Sequence, residues 1–415
     1  MKKMPLLIAT FSLSLIVSCQ NQATIYEWRG PDRTGIYPDK GLLTEWPEEG
    51  PAELWSTDNL GNGYGSPVFA ENEFFITGET DSVTYLFCFD IGGTQKWKTR
   101  LGGEWMRSYP GGRDAPTVAG NLVYVGTGLG NLYCVNRKDG KIVWSKELKA
   151  DFDGLLPLHG YSEAPLLDGD RVFWTPGGKE NNVVALNRFT GEIMWSHPGY
   201  GEAQGYNQAK LIKLAERNLL VTFSSWHLMG FDAATGDLLW SHEQDNLTPD
   251  RRKPGYGDTH CNTVIYEPGF IWYVAGDGNC GVKLSLSADG TAISEIWRNK
   301  GFDSYMGGIV KLGDYLYGGC NAKPELRSIN AITGETVDSL RTGPGAVISA
   351  EGLLYYYSQR GEMMLLKSVN GKFEKISSFR ITKGTREHFS HPVINKGILY
   401  QRHGNSLMAY DIRKK

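Results

Sequence analysis

Adjacent cysteines occur nowhere in this chain, and neither does a Cys-x-x-Cys pair. The six cysteines stand at positions 19, 88, 134, 261, 280 and 320. Such spacing excludes a zinc ribbon, a thioredoxin-type redox pair and a covalently attached c-type haem. A Gly-x-Ser-x-Gly elbow is also missing, which removes the commonest sequence signal for a serine nucleophile. Charge of one sign is lacking too: 43 basic residues face 46 acidic ones, for a formal net charge of −3. Nothing in that balance points to nucleic acid, and the short run Arg251-Arg252-Lys253 reads as a solvated loop. No segment sustains the 3.6-residue helical period. The apolar run Pro5 to Val17 is too short to cross a bilayer.

What is present is a repeat. Leu228 to Trp240 (LMGFDAATGDLLW) alternates as a strand, turns at Thr235-Gly236 and starts a second apolar strand. Leu86 to Trp97, Leu132 to Trp144 and Val183 to Trp195 are further copies. Val282 to Trp297 is a stretched copy, Leu326 to Val337 lacks the Trp, and Met364 to Ile376 is more divergent. The tryptophans at 97, 144, 195, 240 and 297 are spaced by 47, 51, 45 and 57 residues. Leu407 to Asp411 is a half copy, and Glu53-Leu54-Trp55 supplies its other half at the opposite end of the chain. Two more strand-like runs precede each copy, so every repeat holds four strands. A period of about 40–50 residues with four strands is that of a propeller blade. Eight such units predict an all-β, eight-bladed propeller over residues 53–415, closed by N- and C-terminal strands in one shared blade.

The signature aliphatic-x-(Ala/Gly/Cys)-x-(Asp/Asn)-x-x-Thr-Gly-x-x-x-Trp resembles the PQQ-like propeller repeat. That family includes quinoprotein alcohol dehydrogenases and outer-membrane assembly lipoproteins of the BamB type. The resemblance covers about residues 52 to 415. It implies the fold strongly and the activity weakly, because one fold hosts both enzymes and scaffolds. In the dehydrogenases it implies PQQ with Ca²⁺ held by Glu, Asn and Asp oxygens, an Asp base and a vicinal cysteine pair. This chain lacks the cysteine pair.

Residues 1–18 read as a signal peptide of the lipoprotein type. Met1-Lys2-Lys3 is its basic start, and Ile16-Val17-Ser18-Cys19 resembles a lipobox. Cys19 is then the lipidated residue and the membrane anchor. The absence of Asp after it resembles outer-membrane sorting. Residues 19–52 carry Trp28 and Trp46 among turn residues. They are expected to form an ordered arm on the propeller rather than a free linker. Cys88 and Cys134 hold the same slot in successive repeats and are expected in the core.

Long connections lead toward the innermost strands at 98–114, 145–163, 241–262 and 377–391. An aromatic stands just before the inner strand at Tyr64, Tyr161, Tyr206, Tyr256, Tyr305 and Phe389. Pseudo-symmetry gathers such positions around one end of the axis. The ligand-binding candidates are Arg107, Arg113, His159, Tyr161, Glu163, Tyr206, Asp258, His260 and His391. Aromatic and ionisable groups converging there suit a sugar or a quinone-like ligand. Two functions follow. One is a lipid-anchored envelope scaffold that binds a protein or glycan. The other is a PQQ-like dehydrogenase acting on an alcohol or sugar.

Overall fold

The computed structural model describes residues 23–206, 208–244, 248–253, 258–276, 279–304 and 306–415. Cys19 with its leader, Tyr256 and Tyr305 lie outside them. The strands form eight sheets, each built on four antiparallel strands, and in seven of them the four stand in sequence order. The first blade runs Val68–Ala70, Glu73–Thr80, Val83–Asp90 and Gln95–Gly103. The next six repeat that order. The eighth takes Val393–Asn395, Ile398–His403 and Ser406–Asp411 from the C-terminus and its outermost strand, Ala52–Thr57, from the N-terminal side. Trp55 faces Ala409 and Thr57 faces Leu407 in that pairing. The predicted shared blade is therefore formed.

Branched and aromatic residues fill the second and third strands of each blade, which are buried on both faces. The core accordingly divides into clusters sandwiched between neighbouring blades. Cys88, Cys134 and Cys320 are buried thiols within it. One five-residue helix, Leu148–Phe152, departs from the all-strand expectation. It sits inside a long connection, where Leu148 and Phe152 anchor it to the core, so packing rather than periodicity forms it.

The arm does more than lie on the propeller. Ile25–Tyr26 adds a fifth strand to the inner edge of the second blade, and Ile36–Tyr37 adds one, parallel, to that of the seventh. Between them the chain crosses the axis. Arg29 and Arg33 are 2% and 1% exposed there. Arg33 donates to the carbonyls of Ala164, Pro165 and Ala209 on one side, with Glu27 at 2.7 Å. On the other side Arg29 donates to Val347 O at 3.0 Å and to Ile309 O at 2.8 Å. Gly308 makes room for it, since a Cβ there would come within 1.9 Å of the guanidinium. Burial without a carboxylate pulls the Arg29 guanidinium down to about 10, still charged at neutral pH. Two arginines thus tie the inner strands of opposite blades through one peptide.

Candidate functional site

The arm divides the axial channel in two. Residues that precede the inner strands, such as Ser66, Ala115, Gln208 and His391, line a cavity of about 230 Å³. Residues at the far ends of inner strands, such as Asp168, Lys213 and Asn395, line a larger basin of about 950 Å³ together with Ala23 and Thr24. The two openings therefore lie on opposite faces. Trp28 of the arm belongs to the wall of the smaller cavity, which we call the funnel floor.

Rings from five different connections meet there. Tyr64 and Phe389 lie 5.4 Å apart, Phe389 and Tyr109 5.6 Å, Tyr109 and His159 5.7 Å, and His159 and Tyr206 6.3 Å. Trp28 meets His391 edge-on at 5.0 Å. Tyr109 and Tyr206 hold their backbones at φ 47° and 63°. A bulky side chain in that left-handed region is an outlier, costing about 1–3 kcal/mol, and persists only where the surroundings enforce it.

Polar groups fix the rings. The backbone N–H of His159 donates to the Tyr206 hydroxyl at 2.9 Å, leaving that hydroxyl its own proton to give. Arg113 donates to the carbonyl of His159 and, at 2.8 Å, to that of Tyr109. Ser66 Oγ donates to the His391 carbonyl at 3.0 Å. Gln208 Oε1 accepts from the Ala164 N–H at 2.9 Å. His391 is neutral. Arg29 donates into its Nδ1, its Nε2 donates to the Met306 carbonyl, and burial beside the Arg29 charge holds it down to about 3.

Of the nine candidates, Arg113, His159, Tyr206 and His391 line this cavity. The other five do not line it. Tyr161 and Glu163 are fully buried and turned to each other, with the Tyr161 hydroxyl donating to Glu163 Oε2 at 2.6 Å. Thr175 donates to the same carboxylate through its N–H and its hydroxyl, at 3.0 and 3.1 Å. Burial still raises Glu163 to about 7. His260 is buried, stacked on Phe223 at 4.6 Å and bonded to the Ser225 carbonyl; burial lowers it to about 4. Asp258 is buried, and Arg107 is exposed with its guanidinium over Trp105. Tyr161 and Glu163 face into their blade because a position before an inner strand does not by itself fix the direction in which a side chain turns. Tyr109 and Trp28 escaped the candidate set. The Ser-Tyr-Pro-Gly turn at 108–111 and the Trp-Arg-Gly-Pro stretch at 28–31 were the available signals.

A quinone held with Ca²⁺ needs carboxylate oxygens on its wall, and among the described residues none lines this cavity. Asp114 is buried, and its Oδ1 accepts from the Glu163 N–H. Among the described residues no three His, Cys, Asp or Glu side chains stand together as metal ligands. The wall does not fit that cofactor set.

A family profile described as outer membrane protein assembly factor BamB matches residues 84–340, more than half of the chain. The protein of that name from Yersinia pestis is 23% identical over 49% of this chain and 52% of its own length. The quinoprotein alcohol dehydrogenase PedH of Pseudomonas putida is 33% identical over 21% of this chain and 15% of its own length. The match thus spans about half or less of these curated relatives. Among solved structures, BamB from Moraxella catarrhalis superposes with a TM-score of 0.61 at 14% identity, over 87% of this chain and 99% of that one. The quinohemoprotein alcohol dehydrogenase of Comamonas testosteroni gives 0.51 at 12% identity, over 92% and 79%. Both likenesses show the propeller fold.

Proposed function

Since this chain belongs to the family described as outer membrane protein assembly factor BamB, we propose that it is a protein-binding scaffold of the cell envelope, held to the outer membrane by a lipid on Cys19. The observation that carries the binding reading is the rim of two neighbouring blades. The outermost strands Ile142–Lys146 and Ile193–His197 pair only on their inner side. Each presents two exposed apolar residues: Ile142 and Val143 at 44% and 49%, Ile193 and Met194 at 47% and 46%. An open, apolar strand edge is a liability in a protein that binds nothing and an asset in one that docks an extended segment. The equivalent strands of the first and seventh blades carry Lys96 and Glu374-Lys375 instead.

The arm supports the anchoring reading. It leaves the axis on the basin face, where Ala23 and Thr24 line the opening. Three residues separate Cys19 from Ala23, and the four steps from one to the other reach at most about 14 Å. An anchor so placed turns the basin toward the bilayer and the funnel away from it.

Cys19→Ala tests the anchor: the variant is expected in the soluble fraction, and unchanged membrane fractionation would refute it. Paired Ile142→Lys and Ile193→Lys substitutions test the rim. The charged variant should lose the proteins that co-purify with the parent from solubilised envelopes while melting at the same temperature. Unaltered co-purification would remove the rim from the binding surface. The names of PedH and the Comamonas enzyme speak for a quinone-dependent dehydrogenase, but the funnel wall does not.

A further inference from the structure

We infer that the funnel floor is a binding site for an uncharged ring that carries hydroxyl groups, a pyranoside. The inference is independent of the rim and of any protein partner. Three observations carry it.

The site is built by an insertion, not by the repeat alone. Trp28 arrives on a peptide outside the eight blades, and its indole joins the wall that the blade connections form. The same peptide separates the funnel cavity from the basin.

Its walls hold both of the aromatic residues that, among the described residues, take a positive φ. Tyr109 and Tyr206 both adopt left-handed backbones, yet Tyr109 is 45% exposed and so is not held there by burial of its ring. Backbone outliers of this kind gather at ligand sites, where they aim a side chain the relaxed chain would turn elsewhere.

The chemistry of the wall selects the ligand. Its rings offer flat apolar surface at Trp28, Tyr64, Tyr109, Tyr206 and Phe389. Among the described residues no carboxylate lines it, and its two imidazoles bond to Ser108 Oγ, to Arg29 and to the Met306 carbonyl rather than to an acid. Arg113 supplies a cation whose two terminal nitrogens are already given to main-chain carbonyls. Such a wall offers little to a metal ion or a strongly anionic ligand. It offers stacking for the C–H face of a sugar ring, with the Tyr206 hydroxyl as a hydrogen-bond donor at its edge.

The test is saturation-transfer NMR on the intact protein with four neutral disaccharides: maltose, cellobiose, lactose and N,N′-diacetylchitobiose. PQQ with Ca²⁺ is titrated separately. At least one sugar should give saturable transfer through its ring protons. Tyr206→Phe keeps the ring and removes the donor, and should weaken that sugar about five- to tenfold. Tyr109→Ala, at a half-exposed position, should weaken it further while leaving the melting temperature unchanged. Absence of saturable transfer from all four sugars would overturn the proposal. So would affinity unaltered in both variants, or PQQ–Ca²⁺ displacing the sugar from the same cavity. Envelope co-purification of Tyr206→Phe should match the parent, which separates failure here from failure of the scaffold reading.

Discussion

The indole N–H of Trp195 donates to the Ala233 carbonyl at 3.1 Å, and the two residues belong to consecutive blades. The same bond recurs from Trp97 to Arg137, from Trp144 to Arg188 and from Trp240 to Gly290, at 2.9–3.0 Å. Each tryptophan closes one copy of the repeat, and each acceptor lies in the hairpin turn of the next. The signature is therefore a joint between blades as much as a hairpin. It carries its acceptor turn and its donor ring in one motif so that every copy can serve both neighbours.

The turn glycine completes that joint. Gly236 has φ 81°, and a Cβ on it would stand 2.6 Å from the Trp195 ring. Gly236→Ala should lose about 2–4 kcal/mol, from the left-handed backbone and the clash together. Gly269 has φ 85° with open space around it. Gly269→Ala should lose only about 1 kcal/mol. Equal losses in chemical denaturation would mean that the indole contact contributes nothing beyond backbone strain.

Ring closure rests on Ala52–Thr57 pairing with Ser406–Asp411. Deleting residues 405–415 removes the strand to which both Ala52–Thr57 and Ile398–His403 pair. Two bare edges result, a template for association between molecules. The truncated chain should aggregate or melt without a single cooperative transition. A parent-like melt would show that the ring does not depend on the shared blade.

The arm should stabilise the whole ring, because Arg29 holds carbonyls from two inner strands. Arg29→Met fills much of the same volume but leaves the Val347 and Ile309 carbonyls and His391 Nδ1 without a donor. Each orphaned buried group costs about 1–3 kcal/mol, so a loss of at least about 3 kcal/mol is expected. A change below about 1 kcal/mol would mean that water replaces the guanidinium and that the arm is dispensable for stability.

The architecture was legible because the pattern that writes it is periodic: alternation within strands, a turn glycine, a tryptophan at a fixed offset. Even the shared blade could be read from the half copies at Leu407 to Asp411 and Glu53 to Trp55. The funnel was legible only in part. Position before an inner strand brings Tyr64, Tyr206 and Phe389 to the axis, as symmetry requires. It does not say which way the following side chains turn. Glu163 lies two residues past Tyr161, and both face into the blade, where the Thr175 backbone and hydroxyl meet the carboxylate. Trp28 could be seen as part of an ordered arm but not as a wall of the cavity. Its place depends on the arm crossing the axis, which local pattern does not encode.

Glu163 makes stability depend on pH in a direction opposite to that of most carboxylates. Its folded-state value, about 7, lies above the ordinary 4.5, with burial the largest cause. The fold thus favours the protonated acid. The resulting stabilisation is complete below about 4.5 and is lost as pH rises through about 7. The full shift corresponds to about 3 kcal/mol. His391, His260 and His388 act on the acid side, since burial depresses all three and their contribution disappears as pH falls below their ordinary range. Their effect must be cancelled to see that of Glu163. The measurement is therefore the difference in unfolding free energy between the parent and Glu163→Gln, taken from about pH 5 to about pH 8. Gln keeps the shape and an acceptor for the Tyr161 hydroxyl but cannot ionise. The difference should move in favour of the variant by about 2–3 kcal/mol across that window, most steeply between about pH 5 and about pH 6.5 and levelling off above about pH 7. A difference that stays flat would mean that the donations from Tyr161 and Thr175 keep the carboxylate charged in the fold at every pH in the range.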